Sequence, residues 1–136
     1  FVVGKTGSDG ERAARFEALA KTHGVRKAYH GSKPEKWFSI ISSGLRVFKD
    51  RDVLQSNGSA FGEGIYLTDT LEVAQSFAPV GDGFPSSSRT SRFRCVAVCE
   101  YIDSPLVHRT KKPPASFLVD GLPHNYIVVP DEDYVE

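Results

Sequence analysis

The chain reads as an α+β domain, with helices in its first half and strands dominating its second. Three observations carry that reading. Between Gly10 and Gly24 the apolar residues Ala13, Phe16, Leu19 and Ala20 recur at helical spacing. From Phe93 onward, "FRCVAVCEYI", "ASFLVD" and "NYIVVPD" are short runs rich in β-branched and aromatic residues, the composition of strands. Helices followed by a run of strands point to an antiparallel sheet.

Taken in order, the first helix stops at Gly24, a residue suited to a C-terminal cap. "KAYH" follows as a short strand. Ser32 and Glu35 have the spacing of a capping box, with Pro34 in the first turn of the helix they would start. That helix is expected to bury Trp37, Ile40 and Ile41 and to end at Gly44. Residues Arg46 to Ala60 are polar and turn-rich, and "GIYL" is another short strand. Asp69 and Glu72 repeat the capping spacing for a helix from Thr70 to about Phe77. "APVGDGFPSSSRTS" reads as a long loop, a length that can also gate a site. The acidic "PDEDYVE" reads as a solvated turn.

At 136 residues the chain is expected to be one domain, 1–136, large enough to bury a core. Its 40% hydrophobic and 25% charged content is ordinary for a soluble globular protein. Lysine plus arginine number 17, as do aspartate plus glutamate, which argues against a dominant electrostatic nucleic-acid binder. Arg89, Arg92 and Arg94 form a small basic cluster that reads as solvated loop charge. No apolar run approaches the roughly 18–20 residues of a membrane span, and no signal peptide is visible. The chain begins at Phe1 and contains no methionine, so it is expected to be a fragment of a longer protein. Any membrane anchor would then lie outside it.

Cys95 and Cys99 stand in one strand. Four strand residues cover roughly 13 Å at ~3.3 Å each, beyond disulfide reach. Both are expected to face the core as reduced, small apolar fillers. Reduced cysteines fit an intracellular location, cytoplasm or nucleus. No second ligand cluster supports a metal site, and His23, His108 and His124 are dispersed.

Three stretches place unusual residues beside helix starts and strand ends. In "YHGS", His30 can donate or accept a hydrogen bond and Gly31 permits close backbone approach. In "NGSAFGEGIYL", Gly62 and Gly64 bracket Glu63 just before Tyr66. Neither a dinucleotide G-x-G-x-x-G nor a lysine-bearing phosphate loop is present. The third is "HNYIVVPD". Each alone reads better as ordinary structure: a structural histidine, a bulge, a core strand.

Together, in their order and spacing, "YHGS", "WFSIISSGL", "FGEGIYLTDTLEVAQSFA", "CVAVCEYID" and "YIVV" closely resemble the PARP-type, diphtheria-toxin-like ADP-ribosyltransferase catalytic domain. The resemblance runs from about Tyr29 to Val129. "CVAVCE" and "YIVVPDEDYVE" look most like the mono-ADP-ribosyltransferase branch that includes a tail-anchored endoplasmic-reticulum enzyme. The resemblance implies a split antiparallel sheet, short flanking helices, and NAD held as co-substrate in a cleft between the halves of the sheet.

It also implies roles. His30 would bond a ribose hydroxyl of NAD, and the Gly31 backbone would pair with the nicotinamide carboxamide. Ser32 completes the motif, and its helix forms a platform behind the site. Tyr66 and Phe77 would sandwich the nicotinamide ring, a stack worth roughly 0.5–1.5 kcal/mol per contact beyond burial. The family often has a donor serine where this chain has Ala74, so nicotinamide-like ligands should lose roughly 0.5–1.5 kcal/mol of hydrogen bonding there. At the third motif position, where polymer-forming members have glutamate, the alignment places Tyr126; a register one residue earlier places Asn125. Neither is a carboxylate, and a tyrosine with pKa near 10 is neutral at pH 7.

The resemblance therefore implies a catalytic set of His30, Tyr66 and Tyr126, and transfer of single ADP-ribose units to a protein side chain, which could belong to the chain itself. No metal is required. The bond from ribose to nicotinamide breaks through an oxocarbenium-like transition state, and the site works mainly by positioning. Three rivals remain in view: a pseudoenzyme that binds NAD without transfer, a glycohydrolase using water, and transfer to a nucleic-acid end. An interaction-only module is the non-enzyme alternative.

Overall fold

Helix α1 (Asp9–His23) buries Phe16 and leaves most of its charged residues in water. It ends as expected at Gly24, where φ is 81° and the glycine N–H donates to the Ala20 carbonyl at 2.8 Å. That left-handed conformation strains any residue with a Cβ. The computed structural model describes residues 9–47, 63–81, 92–109 and 126–136.

Strand β1 (Val25–Gly31) pairs along its whole length with β3 (Val96–Ile102), from Val25 opposite Ile102 to Gly31 opposite Val96. Strand β2 (Ile65–Thr68) pairs with β5 (Tyr126–Val129), and β4 (His108–Arg109) flanks β5. The order is β3-β1-β2-β5-β4, with every pairing antiparallel. Between β1 and β2 the register is carried by the single pair Tyr29 and Thr68. A single rung thus joins the β3-β1 half of the sheet to the β2-β5-β4 half, in keeping with the split arrangement that the resemblance implies.

Strand alternation sorts the side chains onto two faces. Ala28, Ile65, Leu67, Cys99, Tyr101, Ile127 and Val129 share one face and form the buried core. Full burial of a side chain such as Leu67 contributes about 1.5–3 kcal/mol. The positions in the opposite phase, Tyr29, Gly31, Tyr66, Thr68 and Tyr126, belong to the other face. There helix α3 (Leu71–Ser76) packs across β1 and β2. Val73 and Ala74 are its buried residues.

Several local expectations are corrected. The Ser32–Glu35 capping box does not form. Pro34 instead opens a 3₁₀ turn (Pro34–Lys36) preceded by extended Lys33, with no side-chain cap. The Ser32 carbonyl accepts the Trp37 indole N–H at 3.1 Å. Helix α2 (Trp37–Ser43) is too short to bury a full stripe: Trp37 is buried, but Ile41 is 50% exposed. Asp69 does not cap α3. Its carboxylate accepts the Thr70 hydroxyl, while Thr70 N–H donates to Thr68 Oγ1 at 3.2 Å. Cys95 stands just before β3 and is partly buried, so only Cys99 fills the core as expected of both.

The acidic C-terminal stretch is not simply a solvated turn. Residues Glu132–Tyr134 form a 3₁₀ turn capped by the Asp131 carboxylate, which accepts Asp133 N–H at 2.9 Å. Val135 enters the core, and Glu136 exchanges two backbone hydrogen bonds with Glu100 on β3. Arginines hold the stretch down. Arg12 donates to the carbonyls of Glu132, Leu45 and Val135 at 2.9, 3.2 and 3.3 Å, and Arg15 meets Asp133 at 2.6 Å. The candidate strand "ASFLVD", most of the two long loops, Gly62, Arg89, His124 and Asn125 lie outside the described residues.

Candidate active site

The split in the sheet creates the site. Past the Tyr29–Thr68 rung no further β1–β2 pair is formed among the described residues. There a side chain takes over from the backbone: His30 Nδ1 lies 3.0 Å from the Tyr66 carbonyl oxygen. A carbonyl can only accept, so Nδ1 carries the proton. Burial lowers the His30 pKa below its ordinary 6.5, outweighing the opposite effect of the Tyr66 bond. The ring is therefore neutral at pH 7, and Nε2 is left as a hydrogen-bond acceptor. Trp37 packs edge-on against it, with ring centroids 6.3 Å apart.

On the opposite phase of the strands, a pocket opens beside α3. Tyr66 from β2, Tyr126 from β5 and Phe77, just past the end of α3, bring three aromatic rings to it. The Tyr126 ring stands edge-to-face to both others, at 6.3 Å and 74° from Tyr66 and 6.1 Å and 63° from Phe77. Gly31, Ala74, Tyr29, Leu67 and Thr68 complete its wall among the described residues. None of these residues is a carboxylate. Burial pushes the Tyr126 phenol above its usual range, so it is a neutral hydroxyl at pH 7.

Two glycines are explained by contact. A Cβ on Gly31 would lie 1.8 Å from the Ala74 carbonyl oxygen. Gly31 therefore lets α3 sit directly on β1, a reason different from the ligand approach expected of it. At Gly64 φ is 153°, and a Cβ would strike Val128 Cγ1 at 2.6 Å and the Val129 carbonyl oxygen at 2.8 Å. The glycine of "GEG" thus lets β2 begin against β5.

Of the residues singled out from sequence, Gly31, Tyr66, Ala74, Phe77 and Tyr126 meet in this pocket. His30 stands beside it, bonded to the backbone of Tyr66. Ser32 is not in its wall; its carbonyl holds Trp37 in place. Asn125 lies outside the described residues. Tyr29 and Thr68 were not anticipated. Period-two stepping back from Gly31 and forward from Tyr66 would have found them. Among the described residues, no group of three or more His, Cys, Asp or Glu side chains could hold a metal ion.

Comparison with known proteins agrees with this architecture. The PARP, poly(ADP-ribose) polymerase catalytic domain, family model matches residues 5–122. Human protein mono-ADP-ribosyltransferase PARP16 is 43% identical over 100 residues, covering 73% of this chain and 29% of that protein. Mouse protein mono-ADP-ribosyltransferase PARP8 is 29% identical over 124 residues, covering 72% of this chain and 14% of that protein. The chain thus spans less than a third of either relative. The crystal structure of the PARP domain of Arabidopsis RADICAL-INDUCED CELL DEATH1 superposes with a TM-score of 0.51 at 20% identity, covering 97% of this chain and 78% of that one, and shares the fold. With the match spanning most of its length, the chain belongs to the PARP catalytic domain family.

Proposed function

We propose that this domain transfers a single ADP-ribose unit from NAD to a protein side chain and releases nicotinamide. One observation carries the reading: a pocket walled by four aromatic residues and Gly31, beside a neutral histidine, with no carboxylate among the described residues of its wall. The residues present suit NAD. Tyr66 and Phe77 offer faces and edges for the planar nicotinamide ring. His30, fixed with its proton on Nδ1, offers Nε2 to a ribose hydroxyl. That bond would orient the ribose so that its carbon is exposed to an acceptor as the bond to nicotinamide breaks.

In the register that keeps "YIVVPDEDYVE" aligned, Tyr126 takes the position where elongation would call for an anionic group; one residue earlier it would be Asn125, and neither is a carboxylate. The Tyr126 hydroxyl stays protonated. It can donate or accept a hydrogen bond but cannot supply negative charge to activate a second ADP-ribose. The same lack of a carboxylate favours a second reading, in which the pocket holds NAD without turnover. Loss of one well-placed electrostatic partner typically costs ~10²–10³ in rate, which leaves a slow enzyme, so transfer is the reading we adopt.

A nucleic-acid acceptor has less support: the chain has no net charge, and Arg92 and Arg94 are exposed, as solvated loop charge would be. Two free cysteines suit a reducing compartment inside the cell. Among the described residues no helix is long and apolar enough to cross a membrane.

The test is incubation with NAD labelled on its adenine side, following protein-bound label and free nicotinamide, with Tyr66→Ala alongside. Label on protein with matching nicotinamide release, both lost in Tyr66→Ala, supports transfer. Nicotinamide release without label points to hydrolysis. Bound NAD with neither product supports the non-transferring reading.

A further inference from the structure

Thr68 is one of two buried polar side chains in the described core, 4% exposed, and it stands in the pocket wall. Strand register places it in one row with two further pocket residues, Tyr29 on β1 and Tyr126 on β5. Its Oγ1 accepts the Thr70 N–H at 3.2 Å, which fixes the side chain where the chain turns into α3. A hydroxyl has one proton to donate as well. Among the described residues that proton meets no acceptor. A buried donor left unpaired is disfavoured, and native structures rarely keep one without a use.

The opposite wall explains what the use is. Ala74 is wholly buried and presents only a methyl group, so α3 offers the pocket no side-chain donor at that position. Tyr66 and Phe77 both line the pocket, and Thr68 shares the face of β2 with Tyr66, two residues away. For a planar aromatic carboxamide seated against Tyr66, Thr68 is then a side-chain hydroxyl on the same face of β2 that could donate to its carbonyl.

We propose that Thr68 is a specificity-determining residue whose hydroxyl donates to the carbonyl oxygen of the aromatic carboxamide. Strand β2 thereby supplies the donor that Ala74 on α3 lacks. The proposal rests on the reading that this pocket takes the nicotinamide end of NAD. It requires no change in protonation: the hydroxyl keeps its bond from Thr70 and gives its own proton to the ligand.

The experiment compares the unchanged chain with Thr68→Val and Thr68→Ser, titrated by NMR with nicotinamide and with 3-methylpyridine, the same ring without the carbonyl. A net hydrogen bond between neutral groups corresponds to roughly 2–12-fold in affinity. Thr68→Val should therefore weaken nicotinamide by about that factor, while Thr68→Ser stays within about twofold. Affinity for 3-methylpyridine should change less than about twofold in both. Equal loss for both ligands in Thr68→Val would overturn the proposal, because it would report a shifted α3 rather than a lost donor. Unchanged nicotinamide affinity in Thr68→Val would overturn it too, as would Thr68→Ser as weak as Thr68→Val. Failure of the unchanged chain to bind nicotinamide would refute the reading of the pocket itself, and this assignment with it.

Discussion

Adding one methyl group at Gly31 should loosen the whole site. A Cβ there would fall 1.8 Å from the Ala74 carbonyl oxygen, whereas real Cβ atoms essentially never come within 3.0 Å of another atom. The obstacle is backbone, so no rotamer change relieves it. Helix α3 must retreat from β1 by at least about 1.2 Å, the difference between those distances. It carries Ala74 and leads into Phe77, so the aromatic wall moves with it. Overpacking of this kind typically costs about 1–3 kcal/mol. For a domain of this size each kcal/mol lowers the unfolding temperature by about 3–5 °C. Gly31→Ala should therefore unfold about 3–15 °C lower by thermal denaturation and bind nicotinamide more weakly. Gly10→Ala is the control: it lies within α1 and meets nothing within 4 Å. It should be neutral or stabilising by up to about 1 kcal/mol. A Gly31→Ala protein within about 1 °C of the unchanged chain would refute the close contact of α3 with β1.

The remaining predictions touch other parts of the molecule. The folded pKa of His30 lies below its ordinary 6.5, so the unfolded chain binds more protons between the two values. The contribution to stability is full above 6.5 and is lost as pH falls through the folded pKa; NAD affinity should fall with it, and calorimetry of His30→Gln should show a flatter pH profile. Arg12→Met keeps the apolar stem but removes donors to three carbonyls on two segments. Hydrogen bonds from a charged group contribute roughly 1.5–3 kcal/mol each and are not additive, so chemical denaturation should report a loss of about 2–3 kcal/mol. The Cys99 thiol is pushed up to about 11 by burial, so iodoacetamide at pH 8 should label Cys95 well before Cys99, as peptide mass spectrometry would read.

The elements whose cause is local were legible in the sequence. Helical spacing and Gly24 located α1, and β-branched runs located β2, β3 and β5. Pocket residues were legible where a motif marked them, as at Gly31 and Tyr66. What the sequence concealed depends on tertiary contact. Spacing alone suggested a box at Ser32 and Glu35, but the Trp37 indole claims the Ser32 carbonyl and Pro34 tightens the turn to 3₁₀. The acidic tail looked solvated because its partners, Arg12 and Arg15, are more than a hundred residues away in sequence. Gly31 was expected to permit close approach of a ligand; that it also lets the α3 backbone sit against β1 is something no local pattern discloses. Thr68 went unnoticed because a threonine in a strand carries no signal until its neighbours are known.

The central claim is that a pocket with Tyr126 in place of a carboxylate transfers one ADP-ribose unit and stops. Mass spectrometry of peptides from the domain and an acceptor protein, after prolonged incubation with excess NAD, tests it most directly. The account predicts modified side chains that each carry a single ADP-ribose, absent when Tyr66→Ala replaces the unchanged chain. Side chains bearing ribose-linked chains of two or more units would contradict it, because elongation would then be proceeding past a neutral phenol.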